Sequence, residues 1–323
     1  MTIAYASDWN YAALTAISAV SLLGHNPGAR IVLLGYNLEK DAQDLVRSRV
    51  EKAGGAFEYN DISGEIDNLK AKGYCGYTSY AAYARLFIPR IIRNDGRVLY
   101  LDCDTLVSGP LEDLFGIDLC GKPFALAGDC IIAEYKKYIK HPEPLPYFNS
   151  GVMLIDLGRW RENRCTERVL EELANPRGPN PLGDQDVIVR CFPEETAHMP
   201  PKWNFLSQYF MLSYEGLCRI VGGANLLPFS REEYRDACKG AAIFHFSGHT
   251  LGRPWFTSSR HPMREAYRRA AAAANLAEAA EQVRPMPAAY KIQYWLYRLL
   301  PQRLFDVVCR WMYRAHVRLT YGV

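Results

Sequence analysis

Short apolar runs alternate with amphipathic segments through the first part of the chain. Residues 3–6, 31–36 and 57–62 predict buried strands, because each run has strand length and is bounded by polar or turn-forming residues. The Ala/Leu/Ile-rich segment that ends near Leu23 and the amphipathic segment 39–53 predict helices. This β-α-β-α-β order predicts an α/β nucleotide-binding half with a mostly parallel sheet. Neither of the two common glycine-rich phosphate loops occurs in it.

The next part of the chain leads into a pair of carboxylates. Residues 63–79 are polar and contain Gly64, Gly73 and Gly76, which predicts a mobile loop. A helix is predicted over 79–92, with Arg85 on it and a kink at Pro89. The apolar run 98–101 then predicts a buried, parallel strand that ends directly at Asp102 and Asp104.

Later elements follow the same alternation, with further strands over 124–128, 152–155 and 241–246 and helices over 159–173, from Asp184 onward and over 266–282. Ser230 and Glu233 have the spacing of a helix capping box.

Asp102 and Asp104 are the first candidate functional residues. Ligands of open α/β sheets bind beyond the carboxyl ends of the strands. Two carboxylates at such an end repel each other, which predicts a bound cation. The alternative is an acidic corner whose carboxylates are solvated. The polar turn at residues 7–11 lies at the end of the first predicted strand, where a nucleotide would bind.

Composition and charge add a second segment to this interpretation. The chain has 323 residues and a net charge of +3, but residues 284–323 hold seven Lys/Arg and one acid, Asp306. This asymmetry predicts a main domain over 1–283 and a basic tail over 284–323 for an anionic surface. Nine cysteines without a C-x-x-C pair argue against a disulfide framework or a zinc site. We expect no signal peptide, no membrane span and no nucleic-acid partner, and a cytoplasmic location.

Seven motifs occur in an order that resembles one family: Ala6-Ser7-Asp8-Trp9-Asn10-Tyr11, Tyr83-Ala84-Arg85-Leu86, Leu99-Tyr100-Leu101-Asp102-Cys103-Asp104, Phe148-Asn149-Ser150-Gly151-Val152, Asp184-Gln185-Asp186, Lys202-Trp203-Asn204, and His245-Phe246-Ser247-Gly248 continuing to Pro254-Trp255. Over about residues 1–256, the sequence resembles glycosyltransferase family 8, which includes glycogenin and bacterial lipopolysaccharide galactosyl- and glucosyltransferases. It is most similar to the lipooligosaccharide α-galactosyltransferase type.

The resemblance implies a retaining transferase with a single Rossmann-like domain of the GT-A type. The donor would be a UDP-hexose, galactose or glucose, and the acceptor a saccharide, lipid-linked or of the lipopolysaccharide type. The implied cofactor is Mn2+, with Mg2+ as a substitute, and its ligands would be Asp102, Asp104 and His245.

The implied substrate-binding residues are Ala6, Ser7, Asp8, Asn10, Tyr11, Arg85, Asp102, Cys103, Asn149, Ser150, Asp184, Gln185, Gly248 and Arg253. Asp8, Asn10 and Tyr11 would hold the uridine, although an N-cap Asp and a surface Tyr fit the pattern equally well. Asp184 and Gln185 are the implied catalytic residues. Since an amide is a poor nucleophile, Gln185 favours front-face attack over a covalent intermediate.

One motif departs from the family pattern. The segment from His245 to Trp255 is two residues longer than His-x-x-Gly-x-x-Lys-Pro-Trp, and Arg253 replaces the lysine. Arg253 can still bind a diphosphate. His249 is an additional candidate for that contact.

Two other functions fit parts of the sequence. Asp102-Cys103-Asp104-Thr105 resembles the nucleophile motif of haloacid-dehalogenase-like phosphatases, but Leu106 stands where Thr or Val is usual. A UDP-sugar-binding membrane protein without catalysis is the non-enzymatic alternative.

The tail is predicted to form two helices separated at Pro301. The second carries an apolar stripe at helical spacing: Leu304, Val307, Val308, Trp311, Met312 and Ala315. Basic residues beside such a stripe are typical of a helix in a membrane interface, here at the inner face of the cell membrane. The alternative is that the stripe packs on the catalytic domain or on a second subunit.

Overall fold

A seven-stranded sheet forms the centre of the computed structural model, which describes residues 1–73, 79–248 and 250–322. The strands are β1 (Thr2–Ser7), β2 (Arg30–Gly35), β3 (Ala56–Asp61), β4 (Arg97–Leu101), β5 (Thr105–Val107), β6 (Phe124–Gly128), β7 (Phe148–Asp156), β8 (Thr196–Met199), β9 (Phe205–Leu206) and β10 (Ile243–His245). The order in the large sheet is β3-β2-β1-β4-β7-β6-β8, and β5-β10-β9 form a small second sheet. The predicted fold class is confirmed.

Helices cover both faces of the large sheet. They are α1 (Ala12–Leu23), α2 (Lys40–Lys52), α3 (Ser63–Ala71), α4 (Ile88–Ile91), α5 (Glu112–Phe115), α6 (Ala133–Tyr138), α7 (Leu157–Glu162), α8 (Cys165–Ala174), α9 (Asp184–Cys191), α10 (Tyr214–Val221), α11 (Arg231–Gly240), α12 (Arg264–Ala273), α13 (Ala288–Leu299) and α14 (Gln302–Tyr321). Alternate residues of β1 enter different cores, with Ile3 and Tyr5 on one face and Ala4 and Ala6 on the other. Burial on both faces explains why this strand is a continuous apolar run.

Strand β7 runs antiparallel to its neighbours and thereby places its first residues at the carboxyl end of β4. It pairs antiparallel with both β4 and β6, whereas the other pairs in the large sheet are parallel. Leu101 lies opposite Val152, and the Asp102 amide donates to the Gly151 carbonyl at 2.7 Å. The start of β7 therefore meets the end of β4.

Several predicted elements differ from the structure. The predicted loop over 63–79 begins instead with α3, because Ile66 and Leu69 are buried against the sheet. Gly76 lies outside the described residues. The helix predicted over 79–92 is a 3-10 helix over Tyr80–Phe87 followed by α4.

Two predicted helices are interrupted at residues with left-handed backbone. The helix predicted over 159–173 is divided into α7 and α8 at Arg164, where φ is 52°. The segment 266–282 holds α12 and a 3-10 helix over Ala277–Ala280, with Asn275 at φ 53° between them. The capping box of Ser230 and Glu233 is present at the start of α11.

Both tail helices contact the body of the protein, and α14 does so through one buried face. Phe305, Asp306, Cys309 and Val317 are buried. Most of the predicted stripe lies elsewhere on the helix, and Leu304, Val307 and Trp311 are 49%, 50% and 70% exposed. Within the described residues, no helix combines the length and apolar character that crossing a membrane requires.

A buried carboxylate fixes α14 in place. Asp306 is 1% exposed and accepts hydrogen bonds from the amide and hydroxyl of Ser213, at the start of α10. Gln302 donates to the same carboxylate at 2.8 Å and to the Met211 carbonyl at 2.9 Å. An anion at a helix N-terminus is favourable, because the first amides of the helix point toward it.

Candidate active site and metal centre

Asp102, Asp104 and His245 converge at the carboxyl edge of the sheet. One ligand atom from each lies within 4.8 Å of the others. The carboxylates follow β4, and His245 ends β10, which pairs with β5 so that His245 lies opposite Thr105. His245 Nε2 is 3.2 Å from Asp104 Oδ1 and 3.8 Å from Asp102 Oδ2. Two carboxylates and an imidazole suit a hard divalent cation such as Mn2+ or Mg2+.

Hydrogen bonding at Nδ1 orients the His245 imidazole so that Nε2 lies beside the carboxylates. His245 Nδ1 lies 3.0 Å from Asn204 Oδ1, and Asn204 Nδ2 donates to Asn149 Oδ1 at 2.9 Å. Since the Asn204 oxygen can only accept, Nδ1 carries the proton, which leaves the Nε2 lone pair available to a metal ion. Burial lowers the pKa of His245, but Asp104 and Asp102 outweigh it and raise the pKa overall. This donor set fits a metal ion.

Gly151 leaves the space in which these side chains meet. A Cβ atom at this position would stand 2.6 Å from Asp102 Oδ2 and closer still to the His245 ring. The Phe-Asn-Ser-Gly motif thus has a steric reason for its glycine.

Arg85 joins two of the acidic groups and is 2% exposed. Its guanidinium contacts Asp102 and Asp184, each at 2.9 Å, and donates to the carbonyl and hydroxyl of Ser150. It also lies over the Tyr100 ring, 4.3 Å from the centroid. Buried charges are costly unless they are paired and hydrogen-bonded, and this arginine is both.

Asp184 has a strongly perturbed acidity. Burial raises its pKa to about 6, even though the Arg85 charge acts in the opposite direction. The carboxylate therefore changes charge near neutral pH, a property that often marks functional sites.

Gln185 is held by hydrogen bonds at both ends of its amide. Its Oε1 accepts from Asn149 Nδ2 at 3.1 Å and from the Ser150 amide at 3.2 Å. Its Nε2 donates to the Tyr147 hydroxyl at 3.2 Å and to Asp129 at 3.4 Å. The side chain is only partly buried, so its amide faces the cavity in a fixed orientation.

In the turn after β1, Asp8 is both a helix cap and a residue of the cavity wall, so the two alternatives for this residue occur together. Asp8 caps the 3-10 helix Trp9–Tyr11 through the Asn10 amide, and it accepts from Ser79 at 2.9 Å. It nevertheless faces the cavity, as does Tyr11. Asn10 is exposed outside the cavity, and the buried Ser7 hydroxyl lies behind its wall.

Arg253 reaches the metal site from the lengthened loop. Its guanidinium contacts the Asp104 carboxylate, and this charge, together with His245, holds the pKa of Asp104 well below its usual range despite burial. Gly248 and Arg253 line the cavity, whereas His249 lies outside the described residues.

A single cavity of about 1030 Å³ holds most of the implied site. The implied residues that line it are Ala6, Asp8, Tyr11, Arg85, Asp102, Cys103, Asp104, Asn149, Ser150, Asp184, Gln185, His245, Gly248 and Arg253. Ser7 and Asn10 are the implied residues that do not.

The sequence analysis missed several residues of this cavity. Asp129 follows β6 and accepts from Asn149 and Gln208 at 3.1 and 2.9 Å. Its position directly after an apolar run is the same signal that marked Asp102. Ser247 is a buried hydroxyl in the cavity wall with no hydrogen-bond partner among the described residues. Asn204 belongs to the Lys202-Trp203-Asn204 motif, but no pattern in the sequence indicated its contact with His245.

Comparison with known proteins identifies the class. Residues 2–258 match the family model "Glycosyl transferase family 8", so the protein is a glycosyltransferase. The chain belongs to glycosyl transferase family 8, as the order of its motifs predicted.

Individual relatives are similar over most of the chain. General stress protein A of Bacillus subtilis is 27% identical over 83% of this chain and 91% of its own length. The lipopolysaccharide 1,2-glucosyltransferase of Escherichia coli K12 is 25% identical over 83% of this chain and 76% of its own length. A crystal structure of the galactosyltransferase LgtC with donor and acceptor sugar analogs has the same fold, with a TM-score of 0.67 and 22% identity over 90% of this chain and 99% of that one.

The space beside Gly151 generates a prediction. Gly151→Ala should lower the affinity for Mn2+ at least about tenfold, because the new methyl group displaces Asp102 and His245 from their shared site. Titration calorimetry with Mn2+ measures this directly. Gly64→Ala is the matched control, since a Cβ there has nothing within 4 Å. A folded Gly151→Ala protein with unchanged Mn2+ affinity would refute the assignment of a metal site to Asp102, Asp104 and His245.

Proposed function

We propose that the protein transfers galactose or glucose from a UDP-hexose to a saccharide acceptor, with retention of configuration at the anomeric carbon. The observation that carries the proposal is the cluster of Asp102, Asp104 and His245, which shares one cavity with Arg85 and Gln185. Membership of a glycosyltransferase family removes the support for a phosphatase.

The metal would be Mn2+, with Mg2+ as a substitute, held by Asp102, Asp104 and His245. A bound divalent cation supplies Lewis-acid stabilisation of the charge that develops on the UDP leaving group. The charge balance supports this role. Asp102, Asp104 and Asp184 pair with two guanidinium groups, Arg85 and Arg253, so carboxylate charge remains that a divalent cation would neutralise beside a diphosphate.

The nucleotide would bind between the turn after β1 and the loop after β10. Asp8 can accept from the uracil N–H, and the Tyr11 ring can stack on the base. Arg253 offers a planar fork to the diphosphate, and the free hydroxyl of Ser247 offers a further donor. Since Asn10 is exposed outside the cavity, its contact with the ribose requires the ribose to reach the cavity rim.

The sugar would lie against Asp184, Asn149 and Gln185. The Asp184 carboxylate accepts hydrogen bonds from sugar hydroxyls. The amide of Gln185 is fixed beside the anomeric carbon, where it stabilises positive charge but does not form a covalent intermediate. Retention then follows from front-face attack, in which the leaving phosphate takes the proton of the acceptor hydroxyl.

The acceptor would be a lipid-linked or lipopolysaccharide-type glycan at the inner face of the cell membrane. The names of relatives support this, since one is a lipopolysaccharide 1,2-glucosyltransferase. The residues 1–283 would form the catalytic domain, and 284–323 the segment that holds the protein at the membrane.

The outer surfaces of the tail helices support membrane association. Apolar side chains are exposed on both helices: Ile292, Trp295 and Leu299 on α13, and Leu304, Val307 and Trp311 on α14. Arg314 forms an ion pair with Glu134. Within the described residues, no carboxylate lies within 4.0 Å of the charged groups of five other basic residues of the tail: Lys291, Arg298, Arg303, Arg310 and Arg318. Unpaired cations beside exposed aromatic rings match an interfacial helix.

A donor screen tests the proposed reaction. Release of UDP from UDP-galactose or UDP-glucose should require Mn2+ or Mg2+. Asp104→Ala should lower this rate at least about a hundredfold, because Lewis-acid stabilisation contributes several kcal/mol. Asp113→Ala, at an exposed position on α5, is the matched control. Metal-independent release, or a β-linked product in NMR coupling constants, would contradict the proposal.

The pKa of Asp184 generates a pH prediction. Because burial raises this pKa to about 6, the carboxylate is charged above that pH and neutral below it. The affinity for UDP-hexose relative to that for UDP should therefore fall about tenfold as the pH drops through this value, since a charge-assisted hydrogen bond to the sugar is lost.

Calorimetric titrations of the two ligands over the same pH range measure this ratio. The UDP titration is the internal control, because UDP makes the metal and diphosphate contacts but lacks the hexose. Asp184→Asn should give a ratio independent of pH. A wild-type ratio that stays constant across pH 6 would show that Asp184 does not bind the sugar.

Vesicle binding tests the role of the tail. The full chain should bind vesicles of phosphatidylglycerol and phosphatidylcholine at low salt. Arg303→Gln with Arg310→Gln should weaken this binding about thirtyfold, at about 1 kcal/mol for each basic residue. Lys52→Gln with Lys239→Gln, on helices α2 and α11, is the matched control. Equal losses in both double variants would contradict the role of the tail, and no binding by the full chain would contradict membrane association.

A further inference from the structure

The cavity extends from the catalytic cluster to the tail helices. At its far end it is lined by Tyr290 and Gln293 from α13 and by Met312, Ala315 and His316 from α14. Its volume is about 1030 Å³. Pockets for one drug-sized ligand typically measure about 300–1,000 Å³. The cavity therefore lies at the upper end of this range, and its lining includes both the catalytic cluster and the tail helices.

The wall formed by the tail is held by specific contacts. The buried Asp306 is bonded to Ser213, and the Tyr297 hydroxyl donates to the Phe210 carbonyl at 3.1 Å. At the other end of α14, Tyr321 stacks on Tyr138 at 4.9 Å between ring centroids. These contacts fix which side of α14 faces the cavity.

A contact also joins this wall to the loop that carries Arg253. The Thr250 hydroxyl donates to Gln293 Oε1 at 2.7 Å, and both residues line the cavity. The proposed diphosphate contact and the tail wall therefore belong to one connected surface.

The two ends of the cavity differ in chemistry. The catalytic end presents ionised groups, including Arg85, Asp102 and Asp184. The tail end presents aliphatic and thioether surface from Met312 and Ala315, beside polar and aromatic groups from the same two helices. Trp311 and Leu319 continue this surface to the rim, where they are 70% and 88% exposed.

We propose that helices α13 and α14 form the outer wall of the acceptor subsite, and that this wall selects a saccharide carrying an apolar aglycone. The inference rests on the proposed function, because the reacting hydroxyl must lie beside the donor sugar. The rest of the acceptor then extends along the tail wall. Burial of methylene groups against Met312 and Ala315 favours an alkyl or lipid chain over water at that position.

Binding of paired glycosides tests the proposal. The probes are octyl β-lactoside, below its critical micelle concentration, and methyl β-lactoside, each titrated calorimetrically into the full chain with saturating Mn2+ and UDP. The octyl compound should bind at least about tenfold more tightly, which corresponds to burial of roughly two methylene groups.

Two serine substitutions on α14 form a matched pair. Met312→Ser should reduce the octyl preference at least about threefold, because it removes apolar surface from the wall. Val307→Ser, on the exposed side of the same helix, should leave the preference unchanged. Equal affinities for the two glycosides in the wild type, or equal losses in the two variants, would overturn the proposal.

The donor reaction separates this proposal from the proposed function. Val307→Ser should not change UDP release from a UDP-hexose in the absence of acceptor, and the wild-type rate of this release is measured beside the glycoside titrations. A protein that prefers the octyl compound through Met312 but hydrolyses no UDP-hexose overturns the proposed function. A protein that hydrolyses UDP-hexose but shows no octyl preference overturns the acceptor wall alone.

Discussion

The site depends on the neutralisation of carboxylates at the end of a buried strand. Asp102 and Asp104 emerge from β4 into a region of low solvent access, where unpaired charge is unfavourable. Each neighbouring feature serves this requirement. Arg85 is buried between two acids, Arg253 reaches in from a loop, and His245 is oriented by Asn204. The reversed direction of β7 brings Gly151 to a position where a side chain would obstruct Asp102 and His245.

Helix α14 has three surfaces with different environments. One surface, which includes Phe305 and Asp306, is buried against the body of the protein. A second, with Met312 and His316, faces the cavity, and a third, with Val307 and Trp311, is exposed. The apolar stripe in the sequence corresponds to the second and third surfaces, so neither packing nor exposure alone describes this helix.

The sequence predicted the parts of the structure that depend on local pattern. Period and length identified six of the seven strands of the large sheet, all except β8, and the carboxyl-end rule located Asp102 and Asp104. The resemblance, rather than any local pattern, indicated His245. The analysis failed where tertiary contacts decide the outcome. Burial of Ile66 and Leu69 forms α3 from a glycine-containing segment, and the Asn204–His245 contact joins residues that no spacing relates.

The contact between the tail and α10 links the evolution of two distant positions. A Cβ on Gly216 would lie 2.5 Å from the Asp306 carboxyl group. Any side chain at 216 therefore excludes the acid at 306, while loss of the acid frees position 216 to vary. In diverging descendants of this chain, the two positions should change together, and a glycine at 216 should mark those chains in which the tail still rests on the body.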